Sequence, residues 1–317
     1  MTLSFLISSV HFLLKVKKHR YVLCQERFMF KRILFPTDFS QHTQRAMECI
    51  AGFPTVTDVI LLHVIDISKT SSPSVRGSQE EYARTHLKNG QQILTNMGIS
   101  VTPCLELLNS GTISECIHDV ALREKATLIV MNAGGKGFDR GAHLGSIPFG
   151  VIHHSSVNQL ILHHRVIEGL VDDRYQKYCP MLLSKVLIPL DFSPRSLEAV
   201  NIVSDIPGIG EILLMHVLDK HTRTYKKERL FSQAMSTIEE ICSGLIEKGV
   251  SARGTVLMGD TVPAILRYAN EEDVSVICAI PSGKSRIMEI IVGCSTCGLA
   301  EKTTRPVLIL KELRRSS

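Results

Sequence analysis

The strongest constraint on this chain is that it contains itself twice. Lys31-Arg32-Ile33-Leu34-Phe35-Pro36-Thr37-Asp38-Phe39-Ser40 returns as Ser184-Lys185-Val186-Leu187-Ile188-Pro189-Leu190-Asp191-Phe192-Ser193, 153 residues later. Ile60-Leu61-Leu62-His63-Val64-Ile65-Asp66 returns at the same spacing as Leu213-Leu214-Met215-His216-Val217-Leu218-Asp219. Further on the spacing is 148: Gly111 matches Gly259, Gly135 matches Gly283, Gly145 matches Gly293, and Leu160-Ile161-Leu162 matches Leu308-Ile309-Leu310. One spacing, a five-residue change, then a second constant spacing is the signature of a duplication followed by a loop indel.

Each copy reads as alternating strands and helices. A short apolar run (33–35, 186–188) predicts a buried strand, and Asp-Phe-Ser after it predicts a helix start, over 41–50 and 194–203. A second strand covers 59–65 and 211–218, with long helices over 79–97 and 226–248. Strands near 101–107 and 252–257 precede helices that follow Gly111 and Gly259. A fourth strand (127–131, 274–279), a glycine-bearing loop, a helix and a last strand (159–162, 307–310) complete each copy. Strands that are apolar throughout indicate parallel sheets covered on both faces. The expectation is therefore α/β: two doubly wound parallel-sheet domains in tandem. The boundaries are 29–165 and 184–313, joined by a linker over 166–183 that contains Asp172, Asp173 and Pro180. Each unit is long enough for its own core. The apolar last strands 160–162 and 308–310 are candidate edges for pairing the two units as a pseudo-dimer. Homodimerisation is left open.

Residues 1–28 stand apart. Their apolar run, Leu3 to Leu14, is too short to span a bilayer, and its charges follow rather than precede it, unlike a secretory signal. They are read as an extension outside the fold, with an amphipathic anchor as the alternative. The net charge of +5 comes from 36 basic and 31 acidic residues, without the concentrated stripe a nucleic-acid binder needs. Aromatics make up 5% and Trp is absent, which removes stacking platforms for single strands. Nine cysteines, most in apolar runs, read as free buried thiols of a cytoplasmic protein.

Ligands of an open parallel sheet bind beyond the carboxyl ends of its strands. Asp38 and Asp191 fall there, after the first strand. The glycine loops fall there too, leading into a helix whose N-terminus favours an anion. One reads Met131-Asn132-Ala133-Gly134-Gly135-Lys136 and on to Gly145-Ser146-Ile147. The other reads Ala279-Ile280-Pro281-Ser282-Gly283-Lys284 and on to Gly293-Cys294-Ser295-Thr296. Gly283-Lys284-Ser285 is not a P-loop, because Cys278 stands where that motif needs glycine. Cys294 and Cys297 form a CxxC without a second pair at zinc-site spacing. The doublets His153-His154 and His163-His164 read as surface or interface histidines, and His63 and His216 as structural ones. Asp38 and Asp191 could instead serve only as helix caps.

This order of elements, with these motifs, resembles the universal stress protein family over residues 29–313, which implies that each doubly wound domain is flavodoxin-like or adenine nucleotide α-hydrolase-like. ATP-binding members carry G-x2-G-x9-G-(S/T) after the fourth strand, an Asp after the first and a Val ending the second. The resemblance implies an adenine nucleotide, ATP or AMP, with or without Mg2+. It implies contacts from Pro36, Thr37, Asp38, Val64, Met131, Asn132, Gly135, Gly145, Ser146 and Ile147 in copy one. In copy two it implies Asp191, Val217, Gly283, Gly293, Cys294, Ser295 and Thr296. The Asp would meet the ribose or adenine side, the Val backbone adenine, and the loop the phosphates. Asn132 and Ile280 replace the motif's first glycine, and only Asn enters the left-handed region at modest cost. Copy one also keeps Ser146 where copy two has Cys294, so copy one lies nearer the pattern. The resemblance implies a cytoplasmic stress-response module in which binding orders the loop and shifts which surface an unidentified protein partner meets. No nucleic acid or membrane partner is implied. A nucleotide-free interaction or chaperone-like module and a slow ATP hydrolase are the alternatives. The missing motif glycines favour the first, and no water-activating base supports the second.

Overall fold

The structure, a computed structural model, describes residues 30–51, 53–69, 72–134, 144–163, 181–220, 224–280 and 295–311. In the first copy β1 (Arg32–Pro36) leads to α1 (Gln41–Ala51), β2 (Asp58–Asp66), α2 (Pro73–Asn96), β3 (Ser100–Leu108) and α3 (Ile113–Arg123). Then follow β4 (Leu128–Asn132), α4 (Ser146–His154) and β5 (Asn158–Leu162). The second copy repeats this as β6 (Lys185–Pro189), α5 (Pro194–Ser204), β7 (Glu211–Asp219), α6 (Thr224–Glu247) and β8 (Ser251–Gly259). It ends with α7 (Thr261–Glu271), β9 (Val276–Ala279), α8 (Ser295–Lys302) and β10 (Val307–Ile309).

All ten strands form one sheet, in the order β3-β2-β1-β4-β5-β10-β9-β6-β7-β8. Within each copy every pairing is parallel, and the registers match: Arg32 faces Asp58 as Lys185 faces Glu211. The copies meet where β5 and β10 pair antiparallel, with Leu308 opposite Leu160. The candidate pairing edges are thus joined within one chain. Antiparallel union sends the carboxyl ends of the two strand sets to opposite edges of the sheet.

Strand composition follows position. β4 and β5, covered on both faces, are buried throughout, whereas the outermost β3 is half exposed and carries Pro103. A proline cannot donate to a ladder and is tolerated there because β3 is an edge strand with a neighbour on one side only. Two apolar layers flank the sheet. One gathers Met47, Ile50, Leu87 and Leu94 from α1 and α2 with Val200, Ala234 and Ile238 from α5 and α6. The other gathers Ile117 and Val151 from α3 and α4 with Ile265 and Leu299 from α7 and α8. Each layer runs across both copies.

Two expectations need correction. The long helix of copy one starts at Pro73, six residues before the expected start, with Ser72 at the cap position and proline at the first helical position. N–H groups of the first helical turn have no intrahelical partner, so a proline there removes no helical hydrogen bond. Cys49 is disulfide-bonded, while Cys104, Cys116, Cys242 and Cys278 are free thiols. The uniform free-thiol reading therefore fails at Cys49, whose partner lies outside the described residues. Burial pushes the Cys104 and Cys116 thiols up to about 11, so both are poor nucleophiles.

Candidate functional site

Strand order reverses between β1 and β4, because α1 and α2 lie on one face of the sheet and α3 and α4 on the other. That reversal opens a crevice at the carboxyl ends of β1 and β4. Residues Thr37–Ser40 form one wall. The Thr37 amide donates to Leu62 O at 2.8 Å, carrying the β1–β2 pairing one residue past the strand. Asp38 Oδ1 accepts from the Ser40 amide at 3.0 Å and from the Thr43 hydroxyl at 2.6 Å. Ser40 itself caps α1, its Oγ accepting from the Thr43 amide at 3.3 Å. Asp38 is thus a turn-former ahead of the cap. Asp191 does the same in copy two, accepting from the Ser193 amide at 3.0 Å while Ser193 caps α5.

Between aspartate and cap sits a phenylalanine in the left-handed region, with φ of 61° at Phe39 and 58° at Phe192. This conformation costs about 1–3 kcal/mol and persists only where surroundings enforce it. The enforcement is visible. Phe39 stacks on His63 with ring centroids 4.2 Å apart, and His63 Nδ1 lies 2.7 Å from Thr37 O. A carbonyl can only accept, so Nδ1 carries the proton. Phe192, His216 and Leu190 O repeat the arrangement, at 4.5 Å and 2.7 Å. The matched histidines and phenylalanines of the repeat were its sequence signal. The histidines are structural, as expected; the left-handed phenylalanine backbone they support has no signal in a single copy.

The opposite wall is the end of β4 and the start of α4. Met131 points into the α3/α4 layer and is 4% exposed, so only its backbone reaches the crevice. Asn132 is 9% exposed. Its Nδ2 lies 3.5 Å from Thr43 Oγ1, and its Oδ1 has no hydrogen-bond partner. Gly145 N donates to Ala133 O at 2.7 Å, tying the helix start back to the strand. α4 has Gly145 at its cap and no side-chain cap bond. The Ser146 and Ile147 amides precede the first intrahelical donor, and Pro148 has none to give. Beside this crevice, a cavity of about 570 Å³ opens between the end of β2 and α2, lined in part by His63, Val64, Asp66, Ser78 and Tyr82. Pro36 ends β1 and is half-buried.

The two copies differ at the end of the fourth strand. Ile280, the counterpart of Asn132, is 5% exposed and packs into the α1/α2/α5/α6 layer. Neither residue is left-handed: outside glycine, the described residues with positive φ are Phe39, Lys125, Phe192 and Asp273. What separates Asn132 from Ile280 is therefore polarity, not the left-handed conformation expected to favour Asn. Copy one presents a buried amide where copy two presents hydrocarbon. Val217 is half-buried like Val64, each against the α3/α4/α7/α8 layer. Gly135, Gly283, Gly293 and Cys294 lie outside the described residues, and Ser295 and Thr296 open α8. Among the described residues no group of three or more His, Cys, Asp or Glu could hold a metal, and no helix is long and apolar enough to cross a membrane.

Comparison with known proteins bears on both copies. The sequence profile of the universal stress protein family matches residues 29–163 and again 183–311. The universal stress protein MJ0577 of Methanocaldococcus jannaschii is 25% identical over 158 residues, 41% of this chain and 96% of that one. The universal stress protein YxiE of Bacillus subtilis is 31% identical over 114 residues, 36% of this chain and 73% of its own. A solved universal stress protein from Archaeoglobus fulgidus superposes with a TM-score of 0.67 at 22% identity, covering 90% of this chain and 97% of that chain. With both copies matched, the chain belongs to the universal stress protein family.

Proposed function

We propose that the first copy binds an adenine nucleotide, ATP or AMP, in the crevice between β1 and β4, and that the chain is a nucleotide-responsive regulatory module rather than an efficient enzyme. The observation that carries this reading is the convergence there of the buried, unpartnered Asn132 Oδ1 with the exposed N-terminus of α4. A buried acceptor left without a donor costs about 1–3 kcal/mol, which a ligand hydroxyl or amine would recover. The Ser146 and Ile147 amides would donate to phosphate oxygens, helped by the helix dipole. Val64 and its neighbouring cavity would receive the base side. Asp38, with one oxygen committed to Ser40 and Thr43, would hold this wall rather than activate water.

The second copy fits the ligand less well, because Ile280 fills the matching position with apolar side chain. We assign that copy a non-binding, supporting role.

Thermal unfolding with and without millimolar ATP or AMP tests the reading. Ligand at about 100 times its dissociation constant stabilises by roughly 2.7 kcal/mol. The shift should vanish in Asn132→Ile, which copies a residue the fold already accommodates in the second copy, and in Gly135→Val. No shift in the wild-type protein with either nucleotide overturns the proposal.

A further inference from the structure

α4 is only nine residues long, and helices that short do not hold themselves in place. Its far end is secured from two sides. Gln159 of β5, fully buried, donates from Nε2 to Val151 O at 3.0 Å. Lys311, which follows β10 of the other copy, donates from Nζ to Ile152 O at 2.5 Å. The Lys311 main chain is anchored in turn, its amide donating to Asn158 Oδ1 at 3.0 Å, while Asn158 Nδ2 donates to Thr127 O at 3.2 Å. An ammonium on the last carbonyls of a helix also suits the helix dipole. The charge is felt locally: burial foremost, and then Lys311 and His154, hold the His153 imidazole below its usual range. The corresponding position in the first copy is His163, so the lysine strap is not duplicated.

We infer that Lys311 is a positioning residue for the first copy's site: the second copy reaches across the β5–β10 seam and fixes the helix whose N-terminus lines the crevice. This rests on the nucleotide reading given above. Dipole effects die out within one turn, so the influence is positional rather than electrostatic. Without the strap, the Ser146 and Ile147 amides are no longer held at one place relative to Asn132 and Asp38. The second copy then has a use that its own Ile280-filled crevice does not supply.

The test uses the full chain as wild type, Lys311→Met and Lys311→Arg. ATP affinity is read by titration calorimetry, amide exchange over residues 144–155 by mass spectrometry, and the His153 imidazole by its NMR titration. In Lys311→Met, affinity should fall roughly three- to tenfold, within the range of couplings carried through packed elements. Exchange in α4 should quicken, and His153 should titrate at higher pH. Lys311→Arg should restore all three. Unchanged affinity in a Lys311→Met protein whose α4 exchanges faster overturns the inference, as does an unmoved His153. If the wild-type chain itself takes no ATP or AMP, the nucleotide reading fails first and this inference with it. That outcome is distinguishable because it precedes any mutation.

Discussion

Phe39 and Phe192 hold left-handed backbone because each ring is clamped on a histidine whose own proton is committed to the turn carbonyl before it. The clamp has a pH signature at His216. Burial lowers its pKa below the usual 6.5, against smaller upward effects from the Leu190 hydrogen bond and Asp191. A histidine that binds its proton more weakly when folded leaves the unfolded chain with the excess protons, so stability rises with pH. The penalty is absent well above 6.5 and grows as pH falls through that value toward the folded pKa. Wild type should therefore exceed His216→Gln in urea stability by about 1 kcal/mol near pH 8, the worth of one net hydrogen bond. The advantage should shrink as pH falls toward about 5, within the range where histidine changes charge. A pH-independent difference would mean the ring is not held neutral. Asp38 and Asp191 follow the first strand of each copy as the sequence predicts, but Ser40 and Ser193, not the aspartates, cap the helices. The φ of Phe39 was not legible, because it is imposed by a histidine 24 residues further on. Nor was the conformation of Asn132, whose backbone stays extended as the end of β4 where the family pattern has a glycine.

At the scale of elements, α3 and α4 approach so closely that glycine is required between them. A Cβ on Gly150 would lie 2.5 Å from Ser114 Oγ and 2.7 Å from Ser114 Cβ. Gly150→Ala should cost about 1–3 kcal/mol by overpacking. Removing only the hydroxyl leaves the Cβ conflict, so Ser114→Gly should relieve more of that cost than Ser114→Ala. Denaturant midpoints of the single and double mutants measure this, and additive losses would show that the two residues do not meet. The same contact fixes the roll of α4 and hence the direction of its first amides. Element order was readable throughout, since apolar runs and capping residues recur in both copies. The start of α2 at Pro73 was not, because the segment 73–78 lacks apolar periodicity and its helical state rests on the favourable proline at the first position. Close approach of two helices is a tertiary fact that a glycine in an apolar stretch does not announce.

For the whole molecule, duplication and antiparallel union produce one ten-stranded sheet with two crevices facing opposite edges. Both apolar layers draw on both copies, which makes the seam part of the core rather than a contact between finished domains. The repeat made the tandem architecture legible, and the apolar last strands marked the seam. The repeat also showed Asn132 against Ile280; what it could not reveal is that both side chains are buried and that Lys311 crosses from the second copy to the carbonyl of Ile152 in the first. The most direct test of this division is the stoichiometry of nucleotide binding. Titration calorimetry of the full chain with ATP, repeated with AMP, should give one site per chain, abolished by Asn132→Ile. Two equivalent sites, or undiminished binding in Asn132→Ile, would contradict the assignment of the nucleotide to the first copy's crevice.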